Sequence, residues 1–357
     1  MDIKQATQSY EAWLASRVTL IPADLGLKHQ RMAESPFPFL RATFYRWAQR
    51  WPEVCPDLAT APAVLSVGDL HVENFGTWRD AEGRLIWGVN DFDEAYPMPY
   101  TNDLVRLATS VLVATRENHL ALDPDAACAA ILDGYSRTLE QGGCPLVLAE
   151  RHPWLREVAT GNLRAPIPFW EKFDKMPVAS DAPAQVISAL EQCLPEKGLS
   201  YKLVHRIAGL GSLGRQRFVA LAEWRGGRIA REAKALTVSA CLWAKEAGGA
   251  GEILYQKILD AAVRMPDPWV RICGSWIVRR LAPDCSRVEL AALPSDRDEQ
   301  KLLRRMGEET ANVHLGDGSG KAAIQQDWQQ RHGPWLRKAA EAMVDAIAED
   351  WKQWRKK

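Results

Sequence analysis

Two short acidic segments in the first third of the chain carry residue types suited to phosphoryl chemistry. In Ser66-Val67-Gly68-Asp69-Leu70-His71-Val72-Glu73-Asn74, an aspartate and an asparagine stand five positions apart in a polar stretch after an apolar run. A second apolar run ends in Asn90-Asp91-Phe92-Asp93-Glu94, with Asp91 seventeen residues beyond Asn74. Phosphoryl transfer needs a carboxylate beside the attacking hydroxyl and oxygen ligands for magnesium bridging the phosphates. Asp69 has the setting of the base, and Asn74, Asp91 and Asp93 have the oxygens for Mg2+. That chemistry requires the two segments to lie on adjacent loops.

A third segment, Gly209-Leu210-Gly211-Ser212-Leu213-Gly214, has the spacing of a loop whose backbone amides approach phosphates closely. A dinucleotide-binding fold would follow such glycines with a helix and place an acid about 20 residues on. Here the β-favouring run Arg217 to Glu223 follows, which suits a glycine loop inside a hairpin.

The elements that must hold these segments read as follows. Residues 1 to about 60 are helical, with Pro36 and Pro38 breaking the chain before an amphipathic stretch from Phe39 to Trp51. Ala63 to Val67 and Arg84 to Val89 read as strands, then Asp103 to Arg116 and Pro124 to Gln141 as helices. The Pro-, Asp- and Ser-rich stretch Lys172 to Ala184 reads as a connection between lobes. From Tyr201 to Leu290 strands dominate: Leu203 to Ile207, Arg217 to Glu223, Arg228 to Ala235, Val270 to Cys273 and Trp276 to Leu281. A helix over Glu252 to Arg264 interrupts them, and after Pro294 the pattern is helical with a glycine-rich break at Gly316 to Gly320.

The first two segments resemble the aminoglycoside and choline kinase branch of the protein-kinase-like superfamily. The match runs through Gly68, Asp69, Leu70, His71 and Asn74 of its catalytic loop and Asp91 and Phe92 of its metal loop. Val67 departs from the pattern, standing where that branch usually has histidine. The resemblance implies that Asp69, His71 and Asn74 form the catalytic loop, that Asp103-Leu104 braces it, and that Met306 to His314 is the helix preceding it. It further implies that Lys234, twenty residues past Gly214, holds the phosphates of ATP. Glu252 is the first candidate to pair with Lys234, with Gln256 and Glu246 as the others. Gly209, Gly211, Ser212 and Gly214 would cover the nucleotide, and Trp276 to Leu281 would lead to the hinge. Over its whole length the chain also resembles a bacterial domain-of-unknown-function family placed among kinase-like proteins. Met32, Ser35-Pro36-Phe37, Phe39, Arg41 and Val278-Arg279-x-Leu281 carry that likeness. Arg41 reads equally as a site residue or a helix-surface one, and Arg279 as a lobe brace or a phosphate contact.

A kinase runs from glycine loop to lysine, hinge, helix, catalytic loop and metal loop; this chain starts at the catalytic loop. The fold expected is therefore α+β, a two-lobed, circularly permuted kinase-like fold. Residues 1–195 form the helical catalytic lobe, 196–290 the β-rich nucleotide lobe, and 291–357 helices returning to the first lobe. Permutation is tolerable because packing depends on spatial neighbours and not on chain order. The activity expected is transfer of the γ-phosphoryl of Mg-ATP to a hydroxyl, of a small molecule by resemblance, with protein as the other acceptor class.

Three other readings share these residues. AMP transfer would bind ATP inverted, and a pseudokinase would bind nucleotide without chemistry, though none of the needed residues is missing. Gly68-Asp69-x-His71 also resembles one block of binuclear-metal phosphoesterases. Those need further paired histidines, and His29, His119, His152, His205, His314 and His332 have no such context. The 45 basic and 45 acidic residues balance, which gives no electrostatic case for nucleic acid or an anionic membrane as partner. No apolar run approaches the roughly 20 residues of a membrane span, the N-terminus lacks a signal-peptide pattern, and seven scattered cysteines fit a reducing cytoplasm.

Overall fold

The computed structural model describes residues 1–148, 152–160, 166–246, 249–283, 285, 298–316, 318 and 320–356. It is mixed α and β, with helices outweighing three small sheets. The N-terminal quarter folds as α1 (Ile3–Ala15), α2 (Pro22–Glu34), α3 (Pro36–Ala42) and α4 (Phe44–Val54). Asp2 opens α1 with a capping box, its side chain accepting from the Gln5 amide while Gln5 accepts from the Asp2 amide. Prolines at the first positions of α2 and α3 cost no helical hydrogen bond, so both helices start there.

Four short strands follow, β1 (Ala63–Ser66), β2 (Phe75–Arg79), β3 (Leu85–Val89) and β4 (Tyr96–Pro99). β1 pairs with β4 and β2 with β3, both antiparallel, so the two expected strands are not neighbours. Next come α5 (Tyr100–Arg116) and α6 (Pro124–Gln141), the latter capped by Asp123 and closed by Gly142 in the left-handed region. α5 is buried on all sides from Tyr100 to Ala114. Its buried Asn102, Asp103, Arg106 and Ser110 must therefore find polar partners inside the protein.

The chain continues through α7 (Pro153–Thr160), α8 (Pro166–Asp174) and α9 (Ala184–Glu191) to an antiparallel five-stranded sheet. Its strands are β5 (Lys202–His205), β6 (Arg217–Trp224), β7 (Gly227–Ala235), β8 (Arg271–Cys273) and β9 (Trp276–Leu281), in the order β5-β6-β7-β9-β8. Between β7 and β8 lie α10 (Ala240–Ala244) and α11 (Tyr255–Ala261). Phe169 and Phe173 of α8 pack with Val219 and Leu281 on one side of the sheet, and Val186 and Leu190 of α9 pack with Ala233 and Val278 on the other. The segment Lys172 to Ala184, expected as a bare connection, thus joins two helices that both cover the sheet. Apolar faces of α8 and α9 that pair with alternate sheet positions explain the shift of boundary. The expected end of the β-rich lobe at 286–290, and Pro294, lie outside the described residues.

Three helices close the chain: α12 (Glu299–His314), α13 (Lys321–Gln330) and α14 (Trp335–Arg355). α12 and α14 pack against α5 and α6, and α14 also covers α1 to α4, so both chain ends share one large core. α12 meets α6 at glycines: a Cβ on Gly134 would lie 2.0 Å from the Arg304 carbonyl oxygen, and one on Gly307 2.2 Å from that of Ile131. Residues 317 and 319 of the expected glycine-rich break lie outside the described residues; α12 ends before it and α13 begins after it. Each of the seven cysteines is a free thiol. Among the described residues no helix is long and apolar enough to cross a membrane.

Candidate active site

The strand pairings bring the two acidic segments together. Ser66 and Tyr96 are partners, as are Phe75 and Val89, so the residues flanking loop 67–74 face those flanking loop 90–95. The Asn90 amide donates to the Asn74 carbonyl at 2.8 Å and locks the loops side by side. Gly68 has φ +80°, and a Cβ there would meet the Glu94 carbonyl oxygen at 2.4 Å. Only glycine permits that turn and that approach.

One face of α5 holds the first loop. Asp103 accepts from the amides of Val67 (2.7 Å) and Gly68 (3.0 Å), and Ser110 Oγ accepts from the Val72 amide at 3.1 Å. Arg106, between them on the same helical face, donates from Nε to Asp69 Oδ1 at 2.8 Å and also from Nη2. His314 of α12 contacts Asp103 Oδ2 at 3.1 Å through Nε2 and the Tyr135 hydroxyl at 2.9 Å through Nδ1. Asn74 Nδ2 donates to the Asp69 carbonyl at 2.7 Å, and His71 Nδ1 accepts from the Glu73 amide at 3.2 Å.

The second loop meets the sheet through Lys234. Its Nζ lies 3.1 Å from both Asp91 oxygens and 2.7 Å from Asp93 Oδ1. Arg215 reaches Asp93 at 3.3 Å and Glu94 at 3.4 Å, while Glu94 also accepts from Ser239 Oγ (3.0 Å) and the Ala240 amide (2.7 Å). Burial pushes the Asp93 carboxyl up, the Asp91 charge adds to that, and Lys234 and Arg215 oppose it. Burial likewise raises Asp69, against the pull of Arg106, and raises Glu94 to about 7 against that of Arg215.

Asp91, Asp93 and Asn74 carry oxygens of the kind magnesium takes. Both carboxylates share the Lys234 ammonium, and Asp93 also meets Arg215, so a bound cation would take the place of one of these contacts. The Asn74 side chain lines the same pocket. Among the described residues no group of three or more His, Cys, Asp or Glu side chains is set to hold a metal. Magnesium needs no such cage, since it takes one or two carboxylates together with substrate phosphates and water.

The glycine loop closes the pocket from above. It joins β5 to β6, which pair antiparallel, and passes through a single 3-10 turn at Leu210–Ser212. Gly209 (φ +75°) and Gly214 (φ +97°) adopt the left-handed region, where glycine carries no Cβ penalty. A Cβ on Gly211 would stand 3.1 Å from the Arg41 carbonyl oxygen and 3.4 Å from Asp69 Oδ2. Lys28 Nζ donates to the Gly211 carbonyl at 3.0 Å, and the Ile21 amide donates to that of Gly214 at 2.7 Å. Ser212 Oγ accepts from Arg217 at 2.8 Å. The enclosed space is about 40 Å³, lined by Asp69, His71, Asn74, Asp91, Asp93 and Gly209 to Ser212, with Lys28, Arg41 and Tyr10 from the N-terminal helices. A space of that size has room for a few waters.

Glu252 does not join this site. Gly251, at φ +67°, precedes it, α11 begins only at Tyr255, and Glu252 stands exposed in the preceding segment. The partners of Lys234 are the aspartates of the second loop. Gln256 bonds to Asp260 on the surface, and Glu246 is exposed. Arg41 faces the pocket and pairs with Glu73 at 2.5 Å. Arg106, Lys28, Arg215 and Glu94 were not anticipated from the sequence. An arginine three residues after Asp103 in an apolar helix was a readable signal for Arg106. Lys28 meets Gly211 across 183 residues, with no local mark.

With this geometry the chain can be set beside known families. Residues 19–148 match the model of the family described as "Uncharacterized protein conserved in bacteria (DUF2252)". No curated protein and no solved structure matches the chain. The DUF2252 match spans both acidic loops, Lys28, Arg41 and Arg106; the glycine loop and Lys234 lie beyond it.

Proposed function

We propose that this protein is an ATP-dependent phosphotransferase of a circularly permuted kinase-like fold, moving the γ-phosphoryl of Mg-ATP to a hydroxyl acceptor. The observation that carries the reading is the contact of buried Lys234 on β7 with Asp91 and Asp93, two carboxylates that line one pocket with Asp69, Asn74 and the glycine hairpin. A cation for phosphates, oxygens for magnesium, a base and a glycine loop are the parts that phosphoryl transfer uses. The packing of α12 and α14 on the helices that brace loop 67–74 supports the permuted order.

Asp69 takes the acceptor hydroxyl, with one carboxylate oxygen fixed by Arg106. The hydroxyl proton passes to Asp69 as its oxygen bonds to the γ-phosphorus. The bond to the β,γ-bridging oxygen breaks and ADP leaves. Burial raises the proton affinity of Asp69 and so favours that transfer. Bound magnesium would neutralise phosphate charge, with Asp91, Asp93 and Asn74 as its holders. Lys28 and Arg41 line the same small pocket as Asp69, and its size favours a small-molecule acceptor.

Product analysis tests the reading. ADP formed with magnesium and a phosphorylated acceptor, and abolished by Asp69→Asn, is the expected result. AMP and pyrophosphate as products would replace it with nucleotidyl transfer, and turnover that survives Asp69→Asn would remove Asp69 as the base.

A further inference from the structure

A second cavity, of about 150 Å³, lies beneath the five-stranded sheet and shares Gly209 with the pocket above Asp69. Arg206, Arg217 and Arg279 line it, and behind them stands Glu232 of β7, fully buried, two residues before Lys234 and so on the same face of the strand. Three guanidinium groups converge on that one carboxylate. Arg279, its cross-strand partner on β9, donates from Nε and Nη2 at 2.8 Å each. Arg217 of β6 donates at 3.2 Å to both oxygens, and Arg206 pairs with it from the start of the glycine hairpin.

A structural ion pair needs one guanidinium per carboxylate; this one has three. The two extra positive charges are costly away from water, because the desolvation of each ion is repaid only by an opposite charge. Arg280 also lines the cavity and donates to Cys285, and the other acid facing the space is Asp267. Counting both acids as ionised, two positive charges remain over. The three guanidinium groups are not equivalent: burial lowers that of Arg206, Glu232 opposes this and Arg217 and Arg279 lower it further, whereas against burial Glu232 holds the Arg279 guanidinium above its ordinary value. Planar guanidinium forks match phosphate oxygens in pairs.

We propose that this cavity is a binding site for phosphate groups, a di- or triphosphate, held by Arg206, Arg217 and Arg279 beside the Asp69 pocket. The inference rests on the phosphotransferase reading only for the source of the phosphates, which is the tail of ATP or a separate phosphorylated ligand. Glu232 holds the three forks in place when no ligand is present and spaces them when one is.

Calorimetric titration of inorganic tripolyphosphate into the full chain, without magnesium, tests this. Binding should weaken at least tenfold in both Arg206→Gln and Arg279→Lys and persist in Asp91→Asn, with thermal melts confirming that each variant is folded. Should one arginine variant fail to fold, the other carries the test, together with the steep salt dependence expected of the wild type. ATP that competes with tripolyphosphate identifies the nucleotide tail as the source, and ATP that binds alongside it identifies a separate ligand. Tripolyphosphate binding with ATP binding nowhere keeps the anion site and removes the ATP-dependent phosphotransferase reading. No tripolyphosphate binding by the wild type, or equal binding by both arginine variants, overturns the proposal.

Discussion

Arg106 Nε lies 2.8 Å from Asp69 Oδ1, donated from a helix position three residues after the aspartate that braces the same loop. The guanidinium is itself fixed, bonding the Leu40 carbonyl at 3.0 Å and lying over the rings of Phe44 and Trp47. Breaking a buried pair by removing one partner costs about 3–5 kcal/mol. Arg106→Ala should lose stability on that scale in denaturant titrations. It should also shift activity to higher pH, because Arg41 is then left as the lesser charge opposing the burial that raises Asp69.

Asp103 should be a stability residue with a kinetic echo. Asp103→Ala orphans the amides of Val67 and Gly68 and the His314 ring, each about 1–3 kcal/mol when left unsatisfied. A loss of at least about 3 kcal/mol in denaturant titrations is expected. His314→Ala removes one of these contacts and should cost less.

How far these contacts were legible depended on their range. The two acidic loops were readable because strand, turn and polar cluster follow one another within a few residues, and α6 was readable from its proline start and glycine end. β2 and β4 were not, since five- and four-residue strands in pairs carry too little alternation to stand out. The helices α8 and α9 were hidden in a Pro- and Ser-rich context, and their apolar faces gain meaning only against the sheet. Glu252 was misplaced for a related reason: the helix expected from Glu252 begins only at Tyr255, which leaves Glu252 in the exposed segment before it. Lys28 and Glu232 gain their settings from strands and helices far away in the chain, which periodicity does not encode.

Gly211 leaves little room for a side chain. Alanine there would press a Cβ against the Arg41 carbonyl at 3.1 Å and lift the loop from Asp69. Gly211→Ala should weaken nucleotide binding on the order of tenfold, about 1.4 kcal/mol, with little change in melting temperature. An unchanged affinity would detach the glycine loop from the nucleotide.

Lys28 gives a pH signature. Burial, with help from Arg215, lowers its ammonium from 10.5 to about 8, which amounts to about 3 kcal/mol against the charged form at neutral pH. The unfolded chain then binds the proton more tightly, so this cost is full below about 8 and fades as pH rises toward 10.5. Lys28→Met should therefore be more stable than the wild type at pH 7, and its advantage should shrink steadily across that window. A difference independent of pH would place the Lys28 ammonium in water.

The central claim is a magnesium-nucleotide site between Lys234 and the loop of Asp91. Calorimetric titration of ATP, with and without magnesium, on the wild type and on Asp91→Ala tests it most directly. The account predicts binding that depends on magnesium in the wild type and weakens in the variant. No binding of ATP under either condition, or magnesium-dependent binding equal in the two proteins, would contradict it.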